Sequence, residues 1–273
     1  MTTEVHRRSR LRGGHILSDG HVLYWWVELL AILAFYGIYS AIRNIHGGNA
    51  HPPPHAFDHA HQIISLERHL GIFHELTFQH WALHFRPLIL FANYYYGSFH
   101  FIVTIFAGIF LYRVYSDDYP RFRNTIAIAT LLALIGFTFY PLAPPRLVPN
   151  LGFVDTLLKD PAFWSFNSGG AEKVSNQFAA MPSVHIAWST WCAIALAPRL
   201  KKRLWKILAW IYPLVTFVVI IITANHYILD AAGGLVVLTS AWFLANWCTK
   251  AGRTDWRHIG PIPATDTLAE PFA

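Results

Sequence analysis

Charge is scarce in this chain. Asp, Glu, Lys and Arg make up 13% of its 273 residues, against about 25% in an ordinary soluble domain. That deficit, beside a hydrophobic content of 54%, excludes a soluble fold with a solvated surface and points to a polytopic membrane protein. Cysteine is nearly absent. Cys192 and Cys248 both lie in apolar stretches, specify no disulfide framework and read as buried thiols. No internal repeat and no second soluble domain is visible. The net charge of +6 has the sign that nucleic acid requires, but the cations flank apolar runs, where they report topology and no nucleic-acid site.

What is abundant is apolar sequence in long blocks. Six stretches approach the roughly 20 apolar residues that cross a bilayer: 22–41, 87–111, 124–142, 183–198, 204–224 and 229–248. The fourth is short and also reads as a buried helix; Pro182 suits its first turn, where a missing N–H costs nothing. Pro213 predicts a kink in the fifth, and Gly233-Gly234 in the sixth permits close helix approach. The Arg-rich start (Arg7, Arg8, Arg10, Arg12) precedes an apolar run longer than the ~7–15 residues of a secretory signal core, so it reads as an anchor that stays. Between the first two spans, the helical spacing of Ile63 to Leu70 suggests an interfacial amphipathic helix. The expected architecture is therefore all-α. It comprises a basic cytoplasmic N-terminus over 1–21, a six-transmembrane-helix bundle over 22–250, and a cytoplasmic tail over 251–273 whose end reads as disordered.

Orientation follows from the cations. Fifteen Lys and Arg fall on one side: Arg7, Arg8, Arg10, Arg12, Arg113, Arg121, Arg123, Arg199, Lys201, Lys202, Arg203, Lys206, Lys250, Arg253 and Arg257. Six fall on the other: Arg43, Arg68, Arg86, Arg146, Lys159 and Lys173. The positive-inside bias then puts both termini in the cytoplasm.

The same arrangement brings three polar strings to the opposite, extracytoplasmic face. These are Pro144-Pro145-Arg146, Met181-Pro182-Ser183-Val184-His185 and Asn225-His226-Tyr227-Ile228-Leu229-Asp230. Ionisable groups inside a membrane are costly and mark function. His226 and Asp230 are spaced i,i+4, so on a helix they share a face, as a histidine held by a carboxylate would. The 143–182 loop, with Gly169-Gly170, joins two of the strings and is expected to cap the site.

Blander roles compete at each position. His185 and His226 also suit packing histidines, Arg146 an interfacial anchor, Ser183 a helix cap, and Asn225 and Tyr227 either packing or substrate contact. Glu28 in the first span is expected at the interface or hydrogen-bonded to a neighbour. The string His51, His55, Asp58, His59 and His61 invites a metal reading, but the Pro-Pro-Pro run before His55 and the lack of a Cys or Glu cluster favour a solvated loop. Tyr94, Tyr95, Tyr96 and His100 suit ordinary packing or a lipid pocket. Haem ligation by His100, His185 and His226 would make the chain an electron carrier. A proton relay through Asp230 would make it a transporter, though no repeat symmetry supports one.

Together, Phe139 to Arg146, Met181 to His185 and Asn225 to Asp230 resemble the type 2 phosphatidic acid phosphatase superfamily, and within it the branch that includes inositol phosphorylceramide synthases. The likeness covers roughly residues 60–250. It departs from the superfamily pattern where Phe139 replaces a lysine, Leu147 a proline, Val184 a glycine, and Val219-Ile220 a Ser-Arg pair. The resemblance implies that His226 attacks phosphorus and Asp230 orients it. It further implies that His185 is the general acid and base, and that Arg146 and Ser183 hold the phosphate, with no cofactor or metal. The missing cations suit a singly charged phosphodiester better than a phosphomonoester. The expectation is an integral membrane lipid phosphotransferase that transfers a phospho-headgroup of the inositol phosphate type from a phosphodiester lipid to a lipid acceptor at the extracytoplasmic leaflet of a bacterial plasma membrane. A phosphatase for phosphatidate or prenyl diphosphate is the alternative.

Overall fold

The computed structural model describes residues 14–18, 21–45, 52–159 and 177–256. Arg7, Arg8, Arg10, Arg12, His51, Gly169, Gly170, Lys173 and Arg257 lie outside them, as does the end of the tail. A short hairpin, β1 (Gly14–Ile16) and β2 (Val22–Tyr24), pairs antiparallel ahead of helix α1 (Trp25–Ile45). All that follows is helical: α2 (Ala56–His69), α3 (Glu75–Leu83), α4 (Arg86–Val114), α5 (Tyr119–Phe139), the short α6 (Thr156–Lys159), α7 (Val184–Leu196), α8 (Arg203–Ile222) and α9 (Ile228–Trp256).

Among the described residues, four helices are long and apolar enough to cross a membrane: α4, α5, α8, and α9 as far as Cys248. A shorter apolar helical stretch covers Trp25–Gly37 of α1. The outward faces of these helices carry large apolar side chains, among them Ile102, Ile105 and Phe106 on α4, Leu214 on α8 and Phe243 on α9. A surface so continuously apolar has no stable existence against water and fits the acyl region of a bilayer.

Helix α7 is the hub. At 13 residues it is the shortest of the apolar set, and it packs against α4, α5, α8 and α9. Its sequence explains this position, since small and large apolar residues alternate around its circumference. Ala187, Cys192, Ala193 and Ala195 let neighbours approach, while Trp191 fills the core. Each tryptophan N–H finds an acceptor: Trp191 on the Phe122 carbonyl at 3.0 Å, Trp188 on Thr130 Oγ1 at 3.1 Å. The other cysteine departs from expectation. Cys248 is exposed, because it lies on the outward side of α9 near its end, and only Cys192 is buried. Pro213 lies inside α8, which stays helical on both sides of it.

The helices alternate in direction, so α5 ends where α7 and α9 begin. At the other end, Glu28 of α1 is buried, accepts from the Tyr119 hydroxyl at 3.1 Å and pairs with Arg123. Arg199 pairs there with Asp118 at 2.6 Å.

Helices α2 and α3 close over the α5–α7–α9 end. Helix α2 begins earlier than its apolar spacing alone suggests, directly after His55, whose φ of 63° turns the chain. It buries Ala56, Ala60, Ile63 and Ile64 against Leu142, Ala143, Val148 and Tyr227. Helix α3 packs on α8 and α4.

Candidate active site

Backbone hydrogen bonds draw the three polar strings together. Leu142 N–H donates to the Phe178 carbonyl at 2.9 Å, Arg146 N–H to Ala224 at 2.9 Å, and Ser183 N–H to Asp230 at 2.9 Å. The Tyr227 hydroxyl donates to the Ala143 carbonyl at 3.1 Å from a fully buried position. Residues far apart in the chain thus converge at one end of the bundle.

His226 precedes α9 and is not on it. Its i,i+4 relation to Asp230 arises from a capping turn and not from a helical face: Asp230 Oδ2 accepts the Tyr227 N–H at 2.9 Å. The imidazole Nδ1 is 2.8 Å from the Ala180 carbonyl and 3.3 Å from Asp230 Oδ2. Both partners are acceptors, so Nδ1 carries the proton and Nε2 keeps its lone pair. That Nε2 is buried with no hydrogen-bond partner among the described residues, as are His185 Nε2 and Asp230 Oδ1. Unsatisfied buried polar atoms call for a functional explanation, and here two of them are imidazole nitrogens at one site. The rings of His185 and His226 are 5.5 Å apart between centroids. His185 is stacked on Tyr96 at 4.4 Å and meets the edge of His100 at 4.5 Å. Ring contact this close between His100 and His185 argues against a haem between them.

Arg146 follows α5 on a turn of 3-10 helix, Pro145–Leu147. Its side chain is 4% exposed and is held at three atoms. Nε donates to Asn225 Oδ1 at 2.8 Å, Nη1 to Asp155 Oδ2 at 2.7 Å, and Nη2 to Gln177 Oε1 at 3.4 Å. Asn225 is itself fixed, donating to Thr223 Oγ1 at 2.8 Å. Asp155 also caps α6, accepting from Leu157 and Leu158 N–H at 3.0 and 3.1 Å. The loop carrying it is clamped by two buried amides. Gln79 exchanges hydrogen bonds with the Val154 backbone at 2.8 and 3.0 Å, and Asn93 does so with Thr156 at 2.9 Å.

Ser183 is fully buried and caps α7, its Oγ accepting the Ile186 N–H at 3.5 Å. The N-terminus of α7 points into the site with its partial positive charge. Close approach there depends on Gly234 of α9, whose added Cβ would run into the Ser183 carbonyl.

Among the described residues, the histidines of the histidine-rich string each face a different partner. His55 faces Asp58 at 3.2 Å, His59 the Pro141 carbonyl at 2.8 Å, and His61 the Phe57 carbonyl at 2.7 Å. Among the described residues, no group of three or more His, Cys, Asp or Glu is arranged to hold a metal ion. Sequence reasoning singled out His226, Asp230, His185, Arg146, Ser183, Asn225 and Tyr227, and the structure brings all seven to this end of the bundle. It missed Asp155, Gln177 and the Ala180 carbonyl, and it left Tyr96 and His100 among packing residues.

The apolar helices define an integral membrane protein. The PAP2 superfamily profile matches residues 61–244, more than half of the chain, and the protein belongs to that superfamily. Membership supports an enzyme acting on phosphate esters, with a lipid phosphate in the bilayer as the suggested substrate. Searches of curated proteins and of solved structures return no significant match.

Proposed function

We propose that the chain is a membrane phosphotransferase that moves a phospho-headgroup, of the inositol phosphate type, from a phosphodiester lipid to a lipid alcohol at the extracytoplasmic leaflet. The observation that carries this reading is the Arg146–Asp155 pair at 2.7 Å. Arg146 is the one arginine matched to the superfamily's phosphate-binding positions, and an aspartate already offsets its charge. Phe139 and Ile220 stand where further cations are usual. A site with so little net positive charge favours a phosphodiester, with one negative charge, over a phosphomonoester, with nearly two.

The chemistry has two displacements. The Nε2 lone pair of His226 attacks phosphorus and forms a P–N bond, while the P–O bond to the diacylglycerol oxygen breaks. His185 gives a proton to that departing alkoxide. The Nδ1 proton of His226 stays in place, and Ala180 and Asp230 stabilise the positive charge that develops on the ring. In the second displacement His185 takes the proton of the acceptor hydroxyl, the acceptor oxygen attacks phosphorus, and the P–N bond breaks to restore His226. Arg146, Ser183 and the N–H groups opening α7 neutralise the nonbridging oxygens, so the reaction proceeds without a metal.

In this reading α1 and α7 complete a bundle of six spans, α2 lies along the outer interface, both termini are cytoplasmic, and the membrane is a bacterial plasma membrane. The test presents purified enzyme with labelled phosphatidylinositol and, separately, labelled phosphatidate. Transfer of the headgroup label to a lipid alcohol, through an acid-labile phosphate on His226, is expected. Rapid release of inorganic phosphate from phosphatidate or a prenyl diphosphate, with the diester untouched, would replace the transferase by a phosphatase.

A further inference from the structure

Two buried acids that the mechanism does not use meet at the start of α9. Glu67 of α2 and Glu75 of α3 are both fully buried. Glu75 Oε1 accepts the Ile228 N–H at 2.9 Å, and Glu67 Oε1 accepts the Leu229 N–H at 2.7 Å. The Oε2 atom of each has no partner in the rest of the described protein. Because they take successive N–H groups, the two carboxyl groups lie side by side at the head of α9. Two ionised carboxylates cannot share such a position, whereas one proton between them satisfies both orphaned oxygens.

We propose that Glu67 and Glu75 are positioning residues, a carboxyl–carboxylate pair that shares one proton and clamps the first two N–H groups of α9, thereby setting where Asp230 stands against His226. The clamp joins the covering helices α2 and α3 to the helix that carries Asp230, at the two residues immediately before it. It leaves one negative charge at a helix N-terminus, where the helix dipole favours it. This inference rests on His226 being the nucleophile.

The groups that face Glu67 agree with a retained proton. Glu75 comes from α3, Asp230 from α9 and Tyr227 from its approach, and none of them is a cation. On the same helix, Arg68 turns away to lie over the Phe73 ring. Burial, first, and then the Glu75 side chain push the Glu67 carboxyl up to about 9. Between its ordinary 4.5 and about 9 the folded state therefore binds more protons than the unfolded chain, so stability falls as pH rises through that window.

The experiment compares Glu67→Gln, Glu67→Ala and the double variant Glu67→Ala/Glu75→Ala in detergent, reading kcat, KM and thermal unfolding from about pH 5 to about pH 10. A glutamine at 67 donates to Glu75 and accepts from Leu229, so it mimics the protonated acid. It should keep kcat within about threefold of wild type and flatten the decline of unfolding temperature with pH. The alanine and double variants, which leave acceptors or amides facing nothing, should lose about tenfold or more in kcat with KM little changed. A Glu67→Gln protein whose unfolding temperature follows pH as wild type does would overturn the shared proton, with no turnover assay involved. A folded double variant with wild-type kcat would overturn the clamp. If the double variant does not fold, the unfolding profile of the single variant decides. An active His226→Gln enzyme sinks the phosphohistidine instead and leaves the unfolding result standing.

Discussion

The imidazole of His226 is held more closely by the Ala180 carbonyl, at 2.8 Å, than by Asp230, at 3.3 Å. In a catalytic histidine–carboxylate pair the acid ordinarily does two things: it selects the tautomer and it stabilises the imidazolium. Here a neutral backbone oxygen is placed for the first, and in the proposed mechanism the carboxylate keeps the second. Asp230 has a further duty, since its Oδ2 anchors the Tyr227 N–H at 2.9 Å.

This division predicts unequal losses. Asp230→Asn keeps an acceptor for Tyr227 and leaves the Ala180 contact intact, so turnover should fall by about 10- to 100-fold. His226→Asn removes the proposed nucleophile and should cost at least about 1,000-fold. Single-turnover rates on a labelled lipid phosphate, with circular dichroism to confirm folding, would check the order. Equal losses would mean that Asp230, and not Ala180, sets the tautomer.

Asp155 should govern which phosphate is accepted. Asp155→Asn keeps an oxygen for Arg146 Nη1 but removes the offsetting charge from an arginine side chain only 4% exposed. The freed charge should draw a dianion, raising the ratio of phosphomonoester to diester turnover by about tenfold, equivalent to about 1.4 kcal/mol. Competition between labelled phosphatidate and labelled phosphatidylinositol measures that ratio directly. Asp155→Ala is a harsher change, because it removes the carboxylate paired with a buried guanidinium and uncaps α6, and it should cost about 3 kcal/mol or more of stability.

The proposed chemistry draws its electrostatic stabilisation from side chains and helix-end N–H groups. Dialysis against EDTA should therefore leave turnover within about twofold of the untreated enzyme, and added magnesium should not raise it. Activity that disappears with chelation and returns with one divalent ion would assign the missing charge to a metal.

The residues that lay open in the sequence were those whose chemistry is out of place in an apolar run. His185, His226, Asp230 and Arg146 stand at the ends of apolar helices, where an ionisable group is conspicuous. Their common face followed from alternating helix direction. The residues that stayed hidden act through long-range pairing. Glu67 and Glu75 lie in Leu66-Glu67-Arg68-His69 and His74-Glu75-Leu76, which have the look of a solvated helix face. Only tertiary contact with Ile228 and Leu229, more than 150 residues away, buries them. Asp155 lies in a loop with no motif, and the Ala180 carbonyl has no side-chain signature at all. The i,i+4 pairing of His226 and Asp230 was right about proximity and wrong about cause, since a capping turn, not a helical face, brings them together.

Gly234 offers a test of how tightly the site is built. A Cβ added there would collide with the Ser183 carbonyl, a backbone atom that cannot rotate away. The neighbouring Gly233 is different: its added Cβ would meet Met181 Cε and Pro182 Cβ at 3.4 Å, contacts that a flexible methionine can relieve. Gly234→Ala should therefore push α9 from the start of α7, break the Ser183–Asp230 backbone hydrogen bond of 2.9 Å, and destabilise the protein by about 1–3 kcal/mol. Because that bond joins the strings bearing His185 and Asp230, turnover should fall at temperatures where the variant is still folded. Gly233→Ala should lie within about 1 kcal/mol of wild type, helped by the better helix propensity of alanine. Thermal unfolding in detergent and turnover at one low temperature read both effects. A Gly234→Ala protein as stable and active as the Gly233→Ala one would mean that the two helices do not need to touch here.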